Sequence, residues 1–353
     1  MTLSRPSYAY ESAQQSILLP LYRRYLWKWV LDALPRSFPP NAMTIISTVC
    51  CAGSFLLATT MRHSSVAMFA AGFLVLCYFT LDNLDGAQAR RIGRTSRLGE
   101  FLDHWLDTLN NGFVVLGVCI AAGLPDLLAF GVLCFASLAF FAVQWELRCT
   151  GVFRVGRVGD IEGNTTVVVL YLALACFGSD ALWIQPIQGL PSLAVLAGCG
   201  VIAQAIWTLY SALRHVRGDR ADLLPIVFSH LILAVWAATG TLSTSTLLTL
   251  AFFLNPVFTA GAVCGRLLRL TTPRLDWFVV GALLTGALSP VIGVPAAPHN
   301  AVGLTLAAGL ASVTFRHFVV ALAALHRQSR IAAAEEPVES GGERTPETLR
   351  LTG

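Results

Sequence analysis

Runs of apolar residues long enough to cross a bilayer limit what this chain can become more than any other feature. A helix needs about 20 mainly apolar residues to span the hydrocarbon core. Runs of this kind occupy 43–60, 66–84, 101–123, 127–145, 165–177, 193–213, 223–240, 246–265, 277–293 and 301–325. Hydrophobic residues make up 55% of the 353 positions and charged residues only 12%, a balance unlike that of a soluble domain. The expected fold is therefore an all-α, multi-pass transmembrane helical bundle of about ten spans, because only helices satisfy their own backbone in lipid. The run at 165–177 looks short without its polar entry.

The basic residues support this count independently, since cytoplasmic loops are enriched in Lys and Arg. Arg23, Arg24, Lys28 and Arg36 precede the first run, and later groups follow every second one: Arg90 to Arg97, Arg148 to Arg157, Arg214 to Arg220, Arg266 to Arg274, and Arg327 with Arg330. Arg62 is the exception. Both termini are expected in the cytoplasm. Residues 1–16 are polar and show no cleavable signal, so the N-terminus should be retained. The nine cysteines form no C-x-x-C and read as small apolar packing residues.

Residues 16–34 interleave Leu, Tyr and Trp with Arg23, Arg24 and Lys28. They suggest an N-terminal amphipathic helix lying in the membrane interface, its cations toward acidic lipid; a helix packed on the bundle edge is the alternative. Pro39-Pro40 ends it, and Asn41 or Thr44 can cap the next helix.

Residues 81–111 then place four aspartates in an oily chain. Asp82 and Asp85 are three apart, and Asp103 and Asp107 four apart, so each pair shares a helix face. Solvated acids at helix ends are one reading. Two carboxylate pairs beside membrane helices, with no cation inside either, are better explained by divalent metal, and oxygen ligands suit Mg²⁺ or Mn²⁺. Gly86, Ala89 and Gly99 leave room for a ligand to approach closely, and Arg90 offers a planar fork to phosphate.

The pattern Asp82-x-x-Asp85-Gly86-x-x-Ala89-Arg90, eight residues, Gly99-x-x-x-Asp103-x-x-x-Asp107 resembles the complete signature of the CDP-alcohol phosphotransferase family. The resemblance implies transfer of a phospho-alcohol or phosphatidyl group from a CDP-linked donor to a hydroxyl, releasing CMP. It further implies that Asp82, Asp85, Asp103 and Asp107 bind two divalent ions, while Gly86, Ala89, Arg90 and Gly99 receive the CDP moiety. Gln88-Ala89-Arg90-Arg91, Leu98 to His104, Trp145-Glu146, and Thr150 to Glu162-Gly163 are similar to the choline- and ethanolaminephosphotransferase branch. So are Tyr8-x-Tyr10, Ser16, Pro20 and Pro40-Asn41-x-x-Thr44. Gln14 and Trp105-Leu106-Asp107-Thr108 depart from it.

That branch implies a CDP-choline or CDP-ethanolamine donor and a lipid acceptor in the bilayer, diacylglycerol or a similar alcohol. His104 is the expected general base, since imidazole titrates near neutrality, with Asp107 its rival; His104 could instead orient Asp103. Trp145, Glu146, Asp160 and Glu162 could hold a cationic head group, or be a solvated loop. Arg316 and His317, inside the last run, could face the cavity or bond a neighbouring helix. Asn255-Pro256 should kink its helix and could shape a lipid entrance.

Two other functions compete with this one: a CDP-diacylglycerol-dependent phosphatidyltransferase with a soluble alcohol acceptor, and a cation or proton transporter using the aspartates as its ion site. The domain plan is an N-terminal segment over 1–40, the phosphotransferase bundle over 41–330, and a polar disordered tail over 331–353. The active site is expected on the cytoplasmic side, in either a bacterial inner membrane or the endoplasmic reticulum or Golgi. No nucleic-acid partner is expected, and a homodimer follows from the resemblance alone.

Overall fold

The computed structural model describes residues 11–178, 193–218, 220–268, 273–292 and 299–335. Each of the ten apolar runs becomes a helix: α3 (Pro40–Thr60), α4 (Ser65–Arg91), α5 (Arg97–Ala121), α6 (Asp126–Thr150), α7 (Asp160–Phe177), α8 (Leu193–His215), α9 (Leu224–Ala238), α10 (Thr244–Leu268), α11 (Pro273–Leu288) and α12 (His299–Glu335). Eight helical stretches are long and apolar enough to cross a membrane. Of the remaining two, α5 carries Arg97, Glu100, Asp103 and Asp107 in its first half, and α11 is short. The protein is an integral membrane protein.

The run at 165–177 reaches spanning length because α7 begins at Asp160, so its polar entry is part of the helix. Likewise α12 continues to Glu335, into the stretch expected to be tail. The rest of that tail, and Tyr8 and Tyr10, lie outside the described residues.

The N-terminal segment does form a helix, made of α1 (Leu19–Tyr22), a π turn over Arg23–Trp27 and α2 (Lys28–Ala33). One side buries Leu19 and Trp27 with Met43, Phe79 and Tyr171. The other exposes Leu21, Tyr25 and Trp29, as an interfacial helix should. Neither Asn41 nor Thr44 caps α3: Pro40 occupies its first turn, where a missing N–H costs nothing, and no side chain caps the end.

Among the described residues the bundle is all-α except for one short pairing that the sequence does not predict. Strand β1 (Glu11–Gln14) lies parallel to β2 (Val152–Val155), with Ser12 opposite Phe153. Gly151, at φ 71°, ends α6 in a left-handed turn that a side chain would strain, and so aims β2 back beneath the N-terminal segment.

Two packed bodies share α5. Helices α3, α4 and α7 form one cluster with the N-terminal helix, and α6, α9 and α10 form the other. Lipid is as apolar as leucine, so close approach holds such helices together. At Gly112 of α5, an added Cβ would lie 2.5 Å from the Phe252 ring of α10.

Candidate functional site

A cavity of about 1650 Å³ opens where α3, α4, α5, α6, α7 and α8 meet under the N-terminal helix and β2. All four signature aspartates line it, together with Gly86, Ala89, Arg90, Gly99 and His104.

The aspartates sit within their helices rather than at the ends: α4 runs six residues beyond Asp85, and α5 starts six before Asp103. Carboxylate oxygens of Asp82, Asp103 and Asp107 lie within 4.8 Å of one another. The two pairs of the sequence therefore meet as a group of three. Asp85 stands beside them and accepts a hydrogen bond from Thr44 Oγ1 at 2.5 Å. Thr44, considered above as a helix cap, instead braces this carboxylate from α3.

Asp107 Oδ1 receives Asn110 Nδ2 at 3.4 Å and the Tyr78 hydroxyl at 3.5 Å, and Asn110 also reaches Thr48. Asp82 Oδ1 is buried with no hydrogen-bond partner among the described residues. A buried carboxylate oxygen left in this state, beside two more carboxylates, fits a hard divalent cation, whose ligands are oxygens.

The glycines act through space. A Cβ on Gly86 would lie 3.3 Å from Arg90 Nη1, so a bare helix face there lets the guanidinium fold over the aspartate end of α4. Arg90 is exposed to the cavity.

His104 is buried, with its ring edge toward Phe153 at 5.9 Å. Gln144 Nε2 of α6 lies 3.1 Å from His104 Nδ1. An amide nitrogen only donates, so Nδ1 accepts and a neutral ring carries its proton on Nε2. In this orientation His104 presents a donor.

The head-group candidates separate. Trp145 is wholly buried in the core shared by α6, α9 and α10 and does not line the cavity, which removes it from ligand contact. Glu146 is buried too, and its Oε1 is shared by Arg154 Nη1 at 2.7 Å and His215 Nδ1 at 3.1 Å. Glu146 itself does not line the cavity, and its charge is taken up by Arg154, which does. Glu162 reaches the wall, but its oxygens are taken by Ser16 Oγ at 2.6 Å, Leu18 N at 3.0 Å and Gly159 N at 2.9 Å. Only Asp160 of that acidic group is exposed while lining the cavity. Sequence spacing could not choose among these acids, because it does not say which helix face meets the cavity.

Arg316 and His317 do not line the cavity. Asn255 pins α10 to α5 by donating to Thr108 O at 3.0 Å, and so buttresses the aspartate helix rather than opening a lipid entrance. Tyr78, Asn110 and Gln144 went unnoticed in the sequence; their signal was a polar group inside an apolar run.

Residues 38–206 match the family described as CDP-alcohol phosphatidyltransferase. Helices α9 to α12 lie beyond it. The chain is similar to cholinephosphotransferase 1 of Gallus gallus, at 36% identity over 184 residues, 49% of this chain and 54% of that protein. It is also similar to cholinephosphotransferase 1 of Danio rerio, at 27% over 212 residues covering 57% and 55%, and of Bos taurus, at 30% over 209 residues covering 56% and 51%. The chain spans about half the length of the curated relatives it matches.

Proposed function

We propose that this protein is a membrane-embedded CDP-alcohol phosphotransferase that moves phosphocholine or phosphoethanolamine from its CDP-linked donor to diacylglycerol or a similar lipid alcohol, releasing CMP. The observation that carries this reading is one continuous cavity joining the carboxylate group to an apolar arm. Val118, Val132, Phe140 and Val201 line that arm, on α5, α6 and α8. Helices α7 and α8 both wall it yet scarcely touch among the described residues, which leaves a side path for a lipid chain.

Asp82, Asp103 and Asp107, with Asp85 alongside, are the residues that would hold Mg²⁺ or Mn²⁺. Such ions, when bound, neutralise diphosphate charge and stabilise the leaving phosphate. Gly86, Ala89 and Gly99 let the nucleotide approach, and Arg90 supplies a fork for a phosphate oxygen.

In the transfer, the acceptor oxygen forms a bond to the phosphorus bearing the alcohol, and that phosphorus breaks its bond to CMP. The hydroxyl proton passes to Asp107, whose carboxylate accepts, while His104 donates from Nε2 and orients the reacting groups. A cationic head group faces Asp160, drawn by the opposite charge of its carboxylate. The motif end of the bundle, with its arginine groups, faces the cytoplasm.

The test uses the purified full chain in nanodiscs containing diacylglycerol, incubated with radiolabelled CDP-choline, CDP-ethanolamine or CDP-diacylglycerol plus soluble alcohols. CMP release from one of the first two is expected, lost on EDTA treatment and restored by Mg²⁺ or Mn²⁺. Release from CDP-diacylglycerol alone would overturn the branch. Ion uptake without CMP release would make the protein a transporter.

A further inference from the structure

The N-terminal helix spans the mouth of the cavity and is tied down at both ends. At its start, Glu162 of α7 accepts from Ser16 and Leu18, and the Tyr22 and Thr165 hydroxyls lie 2.9 Å apart. At its end, Arg91 of α4 donates to Leu31 O and Leu34 O, while Gln88 donates to Pro35 O and Phe38 O at 3.0 and 3.2 Å. The helix thus bridges the aspartate helix α4 and the roof of the cavity.

Its cations are arranged by an unusual turn. Arg23 and Lys28 are five residues apart, and at 3.6 residues per turn they would stand about 140° apart, one facing away. Over Arg23–Trp27 the chain instead makes a π turn, closed by Lys28 N donating to Arg23 O. An i to i+5 turn stacks Lys28 over Arg23, and π turns recur at functional sites. Both residues line the cavity. Arg24 does not: its guanidinium stands 5.3 Å over the Tyr25 ring. Among the described residues neither Arg23 nor Lys28 pairs with a carboxylate. Arg90 and Arg94 complete a cationic rim around the acidic floor.

We propose that Arg23 and Lys28, stacked by the π turn, form a phosphate-binding lip at the cavity mouth, taking the phosphate of the incoming or departing cytidine nucleotide. The arginine supplies a planar fork and the lysine a point charge, a pairing suited to a phosphate dianion. The same chemistry would take a phospholipid head group at the interface, so the experiment separates the two sources. The nucleotide assignment rests on the reaction proposed above.

The measurement is CMP binding with Mg²⁺, by calorimetry, to the full chain in phosphatidylcholine nanodiscs. Arg23→Gln/Lys28→Gln should weaken CMP about 10-fold and each single change about 3-fold, whereas Arg24→Gln leaves it unchanged. Arg23→Lys should recover part of the loss, which a folding defect would not allow. The second arm compares thermal stability with and without phosphatidylserine in the discs. A double variant that binds CMP normally but loses a phosphatidylserine response assigns the lip to lipid phosphate. A double variant matching the wild type in both arms, or an Arg24→Gln loss as large as its own, overturns the lip. CMP bound tightly with no transfer from any CDP-alcohol sinks the reaction and leaves the lip standing.

Discussion

The two sides of α5 make opposite demands on the chain. On one side, residues 38–206 carry every signature carboxylate and wall an open cavity. On the other, α10 lies outside that match and yet is the most enclosed of the eight spanning stretches among the described residues: 78% of its apolar window is buried, against 17% for α8. Helices that line a cavity leave a face without protein neighbours, so the aspartate helix depends on its remaining faces, one of them packed on α3, where Asn110 reaches Thr48. It is also fixed from behind. Asn255 bonds the Thr108 carbonyl, Arg266 pairs with Glu100 at 2.5 Å, and Phe318 of α12 packs on Trp105 at 4.5 Å. The chemistry lies in one half, and part of the rigidity that chemistry needs is supplied by the other.

If that division is right, a change on the cavity side should remove activity and spare the fold. Asp107→Asn is expected to lower CMP release about a thousandfold, the several kcal/mol attributed to metal-assisted stabilisation. Its unfolding midpoint should match the wild type in a thermal scan, and a large drop there would erase the distinction.

The converse change is Arg266→Met. Arg266 and Glu100 are both largely enclosed, at 12% and 10% side-chain exposure. Removing one partner leaves an uncompensated buried charge, a loss of ~3–5 kcal/mol in stability. Chemical denaturation should show it, while the folded fraction turns over normally. Adding Glu100→Gln to that variant should recover much of the stability.

A smaller effect is expected at Gly112, where a side chain would enter the Phe252 ring. Gly112→Ala should cost ~1–3 kcal/mol by overpacking, and Phe252→Leu in the same chain should relieve it. Recovery by that second change would place the fault in the α5–α10 contact and not in the cavity.

The sequence disclosed these two halves unequally. Ten apolar runs became ten helices because length and hydropathy decide spanning, and the carboxylate motif was readable because charge is costly in such surroundings. What remained hidden depends on facing and distance. Trp145 and Glu146, candidates for a head-group site or a solvated loop, belong to the core and to an ion pair, since spacing along the chain does not say what a helix face meets. The pairing of residues 11–14 with 152–155 joins four-residue strands far apart in the chain, too short to leave a pattern. The π turn at Arg23 has no local composition that marks it, and Asn255 beside Pro256 looked like a kink although its amide reaches α5.

Asn255 sharpens the boundary because it touches the residue next to Asp107. Its amide donates to Thr108 O while its carbonyl accepts from Thr259 Oγ1 at 2.8 Å, so Asn255→Ala breaks two buried hydrogen bonds. Each is worth about 1 kcal/mol, and stability should fall by ~1–2 kcal/mol. A buttress holds position without touching substrate, so the Km for the CDP-alcohol should stay fixed while kcat drops about twofold as Asp107 loses its placement. If Km rises and kcat does not, Asn255 acts on the cavity directly, and the division between the two halves lies further along the chain than α5.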